Sequence, residues 1–176
     1  MDNPYISKEA LDEITGDMTS LAYRMEIMAE DIDEAPGALW TRVNIEQNRV
    51  LEAPELAKVV VAVDPTTSAD GGGDAAGIIV AGSLNSSVYV LQDKTLNGSP
   101  LQWAQEALRA YYLHKANLIV AEQNQGGEMV AMTIKQAEIT LPDGRKATGK
   151  NVPVKLVHAS RGKYVRAEPV SAKYEQ

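Results

Sequence analysis

The sequence predicts an α/β protein whose mixed sheet is flanked by helices, and three patterns support this prediction. Continuous apolar runs at residues 58–63, 117–121 and 152–157 are typical of strands buried inside a sheet, and burial of both faces is expected for the first of them. Two further apolar segments, at residues 77–83 and 87–93, are separated by the turn sequence LNSS and predict a hairpin. Helical patterns lie between the later strands, as expected where parallel strands are connected through helices.

Three helices are predicted among and after these strands. Ser99 and Pro100 suit a helix start, because serine caps N-termini and proline fits the first turn, and this helix should run to about residue 115. A second helix is expected within residues 125–139, after a Gly-Gly pair, and a third within residues 163–174. The intervening segment LPDGRKATGKN predicts a polar loop with a Pro-Asp-Gly turn.

The first 57 residues are expected to form a helical, loop-rich segment ahead of a sheet domain at residues 58–176. Helical patterns cover residues 8–16 and 20–31, whereas residues 34–58 show no sustained period and predict a connector. The remainder has the order β-β-β-α-β-α-β-α. This order predicts a ribonuclease H-like layout, in which antiparallel strands come first and later strands return through helices.

Composition and charge exclude several function classes. The 44% hydrophobic and 23% charged content is ordinary for a globular protein, and no apolar run approaches the roughly 18–20 residues of a membrane span. The acidic N-terminus is not a secretory signal. The absence of cysteine excludes disulfides and thiolate metal sites and fits a reducing compartment, so a cytoplasmic location is expected.

The charge is unevenly distributed along the chain. From Arg145 onward, eight basic and two acidic residues give +6, against −13 for the rest of a chain of net charge −7. Arg161, Lys163 and Arg166 open the last predicted helix, where basic residues oppose the helix dipole. Contact with a phosphate backbone would explain that placement, and pairing with carboxylates elsewhere in the chain is the alternative.

Two carboxylates follow two predicted buried strands directly. Asp64 ends the first strand and Glu122 ends the fourth, and parallel neighbours would bring both to the carboxyl edge of the sheet. Carboxylates that meet there repel each other unless a cation lies between them, and Mg²⁺ and Mn²⁺ prefer such oxygen ligands. The pattern therefore favours a metal site, although taken singly Asp64 suits a turn cap and Glu122 an ordinary ion pair.

Asp74 precedes the second strand and is a candidate third member of this acidic group. An aspartate after three glycines is also typical of an ordinary loop. The glycines at residues 71–73 lack the remainder of a phosphate-binding GxxxxGK[ST] motif. His158 and Ser160 lie too close in sequence, and without GxSxG, for a nucleophilic triad.

Several segments together resemble the C-terminal nuclease half of the large terminase subunit of tailed bacteriophages. They cover nearly the whole chain in the family's order and include YRMEIMAEDIDEAPGALWTR, VVVAVDPTTSADGGGDAAGIIVAG, IVAEQNQGGEMV and VKLVHASRGKYVRAEPVSAKYEQ. The resemblance implies a ribonuclease H-like endonuclease that cuts concatemeric double-stranded DNA with two Mg²⁺ or Mn²⁺ ions. It also implies partnership with an ATPase half, a small terminase subunit and a portal, in the host cytoplasm and away from membranes.

The resemblance assigns roles to individual positions. Asp64 and Glu122 match the family's first two metal-binding carboxylates, and Asp74 matches an aspartate ahead of the second strand. Lys163 and Arg166 match basic positions of the GKxxRAxP pattern, and the first 57 residues match the end of the ATPase half and the linker, without Walker motifs.

A third metal-binding carboxylate of the family lies on a later helix, beyond the position of Gln176. The metal site within this chain is therefore expected to be incomplete, and a non-cutting fragment that keeps the fold and binds DNA or the portal is the main alternative. A phosphate-binding module of the sugar-kinase or actin type is a further one. In that module Gly-Thr or Gly-Ser usually follows the aspartate, whereas here Pro65 follows Asp64.

Overall fold

The computed structural model describes residues 38–65, 74–123 and 128–175. The described helices are α1 (Arg42–Gln47), α2 (Pro100–Leu113), α3 (Glu128–Gln136) and α4 (Lys163–Ser171), followed by a 3₁₀ turn at Ala172–Glu175. The described strands are β1 (Lys58–Asp64), β2 (Gly77–Leu84), β3 (Ser87–Asp93), β4 (Leu118–Glu122), β5 (Glu138–Thr140), β6 (Lys146–Thr148) and β7 (Val154–Val157).

These elements divide into two compact units. The first unit, Val50–Gly162, contains every strand named above together with α2 and α3. The second unit combines the described parts of Met1–Arg49 and Lys163–Gln176, and so contains α1, α4 and the 3₁₀ turn. No helix within the described ranges combines the length and apolar character needed to cross a membrane.

The main sheet has five strands in the order β3-β2-β1-β4-β7. β1 and β3 both pair antiparallel with β2, whereas β4 pairs parallel with both β1 and β7. This arrangement confirms the predicted α/β class with a mixed sheet flanked by helices. Because β1, β4 and β7 run in one direction, their C-terminal ends meet at the same edge, called here the carboxyl edge.

One face of the sheet carries the hydrophobic core. Val61, Val63, Ile78, Val80 and Ile119 are buried there, since alternate residues of a strand share a face. They pack in one cluster with Trp103, Ala104, Ala107 and Leu108 of α2 and with Val130 and Ile134 of α3. Full burial of each large aliphatic side chain contributes about 1.5–3 kcal/mol, so this layer holds the two helices on the sheet.

The other face of the sheet is more exposed than the sequence predicts. The apolar run of β1 indicates burial on both sides, but Val60 and Ala62 are only half-buried. On β3, Val88 and Val90 are each 60% exposed. The prediction is therefore confirmed for the helix-covered face of β1 and wrong for complete burial of the opposite face.

The segment predicted as a polar loop contains the expected Pro-Asp-Gly turn, but this turn joins two short strands of a small hairpin. β5 and β6 pair antiparallel, with Ile139 opposite Ala147, and both of these side chains are buried. Gly144 has a φ of +83°, which suits the turn because glycine has no Cβ to clash there. Each strand is three residues long, which is too short for an alternation of polar and apolar residues to be recognised. The helix predicted within residues 125–139 is therefore wrong at its end, because it includes the start of β5.

Helix α2 has defined signals at both ends. At its start, the Gln102 side-chain oxygen accepts hydrogen bonds from the Ser99 backbone N–H (2.8 Å) and hydroxyl (3.0 Å). At its end, the Ala116 N–H donates to the Tyr111 carbonyl at 2.9 Å, and Lys115 adopts φ +49°. This left-handed C-terminal turn stops the helix at Leu113, close to the predicted end.

The second unit contains a short helix within the predicted connector. Thr41 caps α1 by accepting a hydrogen bond from the Asn44 N–H at 3.1 Å. The helix has six residues, which are too few for a helical period to be recognised in the sequence. Trp40 packs edge-on against Tyr174 with ring centroids 6.0 Å apart. α4 ends at Ser171, soon after Pro169. The predicted helices at residues 8–16 and 20–31 lie outside the described residues.

Candidate metal centre

The ends of β1 and β4 lie side by side at the carboxyl edge. Their register pairs Val63 with Ala121, and one more residue along it brings Asp64 beside Glu122. Each of these residues is the last of its strand. Neighbouring strands are separated by about 4.7–4.9 Å, so the backbones that carry the two carboxylates are adjacent. The arrangement predicted from the apolar runs is therefore present in the backbone.

Both carboxylates also belong to the same face of the sheet. Val63 and Ala121 are buried under the helices, so alternation assigns Asp64 and Glu122 to the opposite, more exposed face. Both residues are half-buried. They are thus partly shielded from water and partly accessible at that face.

A glycine lies opposite Asp64 on the other neighbouring strand. Gly77 pairs with Asp64 across the antiparallel ladder of β1 and β2. A Cβ on Gly77 would lie 3.5 Å from the Cβ of Asp64, which is ordinary contact distance. The missing side chain leaves room beside the carboxylate. This role of Gly77 could not be identified from the sequence, because the residue opposite a glycine can be assigned only when the pairing of its strand is known.

The end of β7 completes this part of the edge. Val157 pairs with Glu122, and the Gln123 N–H donates to the Val157 carbonyl at 2.7 Å. The chain then continues through exposed His158 to exposed Arg161, four residues beyond Val157. Arg161 therefore belongs to a loop that leaves the same edge as the two carboxylates.

Asp74 approaches this edge from the start of β2. It is exposed and stands two residues before Ala76, which forms an isolated bridge with Leu96 through hydrogen bonds of 2.9 and 3.1 Å. The bridge fixes the chain between Asp74 and the first residue of β2. Among the described residues, no three side chains of the His, Cys, Asp or Glu types come together in a metal-binding group. The described geometry thus supplies a pair of carboxylates rather than a set of three.

The basic residues of the C-terminal part are separated by the fold. Lys163 and Arg166 are exposed on α4 in the second unit, whereas Arg161 belongs to the first unit. None of these three is without an interaction partner in the structure. Arg145 pairs with Asp143 at 2.7 Å in the β5–β6 turn, which also gives Asp143 a structural role there.

The donor chemistry of the carboxyl edge fits a hard divalent cation. Asp64 and Glu122 supply carboxylate oxygens, the ligand type that Mg²⁺ and Mn²⁺ prefer. Two carboxylates are fewer protein ligands than a closed site would use, but Mg²⁺ is commonly held by one or two carboxylates together with water and substrate phosphates. The residues present therefore fit a hard divalent cation that completes its coordination with other oxygen ligands.

The mixed sheet with carboxylates at the ends of adjacent parallel strands defines a ribonuclease H-like protein. Residues 61–176 match the family described as the terminase RNaseH-like domain. The chain belongs to this family. No curated protein sequence matches the chain.

A solved structure agrees with this fold. The large terminase from a thermophilic bacteriophage matches with a TM-score of 0.52 and 10% identity, covering 98% of this chain and 40% of that protein. The chain thus spans about 40% of the length of this large terminase. The PPX-GPPA enzyme of Aquifex aeolicus matches with a TM-score of 0.35 and 10% identity over 57% of this chain and 36% of that protein. The match to the large terminase supports the fold, whereas the TM-score of the second match is too low to support a shared fold.

Proposed function

We propose that this chain is a metal-dependent endonuclease domain of a bacteriophage DNA-packaging terminase. The observation that carries the proposal is the placement of Asp64 and Glu122 on adjacent parallel strands, at one edge and on one face. Membership of the terminase RNaseH-like family supports the same assignment. Double-stranded DNA is the proposed substrate.

Asp64 and Glu122 are the residues proposed to hold Mg²⁺ or Mn²⁺. When bound, the cations would supply activation of water and neutralisation of charge at the phosphodiester. The two carboxylates would fix the position of the substrate phosphate relative to the sheet. Gly77 would leave the space that the phosphate needs beside Asp64. No side chain of the protein has to act as a nucleophile, because the cations would activate water for the attack.

Asp74 and the basic residues have supporting roles in this proposal. Asp74 would join the metal site through the segment that the Ala76–Leu96 bridge anchors. Arg161, at the same edge as the carboxylates, would contact the DNA backbone, and Lys163 and Arg166 would add contacts from the second unit. Such contacts position DNA without reading its sequence, so we expect little sequence preference.

The proposed setting follows from the family. Residues 1–57 would be the end of an ATPase half and its linker, and residues 58–176 would belong to the nuclease domain. The partners would be double-stranded DNA, the ATPase half, the small terminase subunit and the portal, in the cytoplasm of the host cell.

A second candidate function is DNA or portal binding without cutting. It is favoured by the finding that the described residues bring together no group of three metal-binding side chains. In that case Asp64 and Glu122 would bind a cation weakly and would need a further carboxylate for cleavage at a useful rate.

Cleavage of supercoiled plasmid by the whole chain with Mn²⁺ tests the proposal. The test variant is Asp64→Asn, and the matched control is Asp143→Asn. Asp143 lies in the β5–β6 turn, outside the carboxyl edge. We expect nicking by the wild type and by Asp143→Asn, and its loss in Asp64→Asn. Nicking that persists in Asp64→Asn would contradict the assigned site.

A thermal-shift measurement separates metal binding from cutting. Mn²⁺ should raise the melting temperature of the wild type, because a ligand that binds only the folded state stabilises it. Asp64→Asn should abolish this rise, and Asp143→Asn should keep it. A rise that depends on Asp64 in a protein that does not nick DNA would select the second candidate function.

A further inference from the structure

Four exposed lysines lie at the end of the first unit opposite the carboxyl edge. β1 starts at that end, and its seven residues span about 20 Å at about 3.3 Å per residue, so Lys58 is far from Asp64. Three other elements contribute one lysine each to the same end. These residues are named here the basal lysine cluster, which consists of Lys58, Lys115, Lys135 and Lys150, all exposed.

Two hydrogen bonds between Val59 and Asn117 bring Lys58 close to Lys115. The Val59 N–H donates to the Asn117 side-chain oxygen at 2.7 Å, and the Asn117 N–H donates to the Val59 carbonyl at 2.8 Å. Lys58 directly precedes Val59, and Lys115 stands two residues before Asn117. The start of β1 therefore lies against the turn that follows α2.

A second contact brings Lys135 close to Lys150. Gly149 packs against the end of α3 so closely that a Cβ on it would lie 3.0 Å from the Lys135 Cα. Lys150 is the next residue after Gly149. The two pairs of lysines are connected through Tyr112 of α2, whose hydroxyl donates to the Thr148 carbonyl at 3.1 Å. All four lysines therefore belong to one end of the unit.

Acidic neighbours within the described residues do not neutralise this cluster. The ion pairs of the described ranges include those of Arg49, Lys94, Arg109 and Arg145, and none of the four cluster lysines takes part in one. Glu52 and Glu55 ahead of β1 and Glu138 of β5 are the acidic residues of the adjoining segments, so the four lysines still outnumber the carboxylates at this end. In a chain of net charge −7, such a concentration of ammonium groups is a strong local departure.

We infer that the basal lysine cluster is a second DNA-contact surface that binds the phosphate backbone independently of the metal centre. Lysine ammonium groups act as point charges on flexible stems, so they follow phosphates without demanding a fixed geometry. Their separation of about 20 Å from the carboxyl edge, estimated from strand length, means that the cluster cannot assist at the bond that is cut. The inference rests on DNA as the substrate of the proposed function, but not on metal chemistry.

Fluorescence anisotropy with a labelled duplex of about 30 base pairs, in EDTA and between about 50 and 200 mM NaCl, tests the inference. The cluster variant combines Lys115→Gln, Lys135→Gln and Lys150→Gln. The control removes the same number of positive charges that are already in ion pairs, through Arg49→Gln, Lys94→Gln and Arg109→Gln. Circular dichroism establishes that both variants keep the wild-type fold.

We expect the cluster variant to lose at least about tenfold in affinity at low salt. The slope of log affinity against log salt concentration should fall in magnitude by about 3, because each lost phosphate contact contributes about 0.9. The control should change both quantities much less. Equal losses in the two variants would show a general effect of net charge and would overturn the inference. Wild-type chain that does not bind the duplex in EDTA would also overturn it and would indicate a different anionic partner.

The metal centre is checked separately in the same proteins. The cluster variant should keep the Mn²⁺-induced rise in melting temperature, whereas Asp64→Asn should lose the rise and keep the salt-dependent affinity measured in EDTA. A clear change of DNA affinity in Asp64→Asn without metal, in either direction, would show that binding occurs at the carboxyl edge and would contradict a separate surface. Failure of the proposed function would thus appear in the metal response, and failure of this inference in the salt slope.

Discussion

Gly149 lies directly against the backbone of Ile134, so that a Cβ on Gly149 would stand 1.8 Å from the Ile134 carbonyl oxygen. The neighbour is backbone of α3, so it cannot turn aside as a flexible side chain would. Gly149 also donates its N–H to the Ala137 carbonyl at 3.0 Å, which holds the end of β6 against the end of α3. This contact fixes the hairpin on the first unit.

Replacement of Gly149 by alanine should therefore destabilise the protein. We expect a loss of at least about 1–3 kcal/mol in the free energy of unfolding, the usual cost of overpacking. Gly162→Ala is the matched control, because a Cβ there meets nothing within 4 Å. It should be neutral or stabilise by up to about 1 kcal/mol, since alanine restricts the unfolded chain. Urea denaturation of both variants measures the difference, and equal effects would contradict the described contact.

A second prediction concerns the space beside Asp64. Gly77→Ala adds a Cβ at ordinary contact distance and should keep the Mn²⁺-induced rise in melting temperature. Gly77→Val adds two further methyl groups next to the carboxylate and should reduce that rise. Valine suits a strand, so the melting temperature without metal should fall little. A full metal response in Gly77→Val would show that the space is not used.

Lys115 adopts a left-handed conformation that glycine adopts without strain. Lys115→Gly should raise the free energy of unfolding by about 0.5–1 kcal/mol, because the backbone strain of a non-glycine residue at φ +49° is removed. The same substitution at Lys135, in the last turn of α3, should lower it by about 1 kcal/mol. Thermal or urea unfolding without DNA measures the free energy of unfolding of both variants, which should change in opposite directions. Destabilisation by both substitutions would contradict the left-handed C-terminal turn assigned to Lys115.

Asp93 is expected to titrate below the usual aspartate range. Hydrogen bonds from the Thr95 side chain and backbone favour the ionised carboxylate and lower the pKa of Asp93, and the Thr95 N–H lies 2.8 Å from its Oδ1. A folded pKa below the unfolded value means that this contribution to stability is present above about pH 3.9 and is lost as the pH falls further.

NMR titration of the Asp93 carboxyl measures this shift. Thr95→Ser keeps the hydroxyl group and should keep the low pKa, whereas Thr95→Val should move the pKa back toward its ordinary value. The valine variant also deprives the Ile78 N–H of the Thr95 oxygen that accepts its hydrogen bond at 3.2 Å. An unchanged pKa in Thr95→Val would show that the backbone hydrogen bond alone sets it.

Much of the sheet could be predicted because its strands carry long, continuous signals. The runs that form β1, β2, β3 and β4 are five to eight residues of apolar sequence, and their observed ends differ from the predicted ones by no more than one residue. The placement of Asp64 beside Glu122 also follows from the sequence, since both residues end such runs. Their parallel pairing is an assumption at that stage, and the register confirms it.

The remaining features depend on contacts between distant parts of the chain. β5 and β6 bury only Ile139 and Ala147, and the hydrogen bonds from Gln105 to Glu138 and from Tyr112 to Thr148 join this hairpin to α2. Such long-range support does not appear in a local pattern. For the same reason the basic C-terminal part looks continuous in sequence, although the fold distributes it among the β5–β6 hairpin, the turn after β6, β7, the loop after β7, α4 and the 3₁₀ turn.

The two tryptophans of the chain fall one in each compact unit. Trp103 is 2% exposed in the first unit, and its buried indole N–H has no hydrogen-bond partner among the described residues. Trp40 is half-buried in the second unit, against the ring of Tyr174. Trp103 should therefore emit at shorter wavelength than Trp40, because emission shifts to the blue in apolar surroundings. Each unit thus carries its own optical reporter, and variants that keep a single tryptophan reveal whether the units unfold together or in succession.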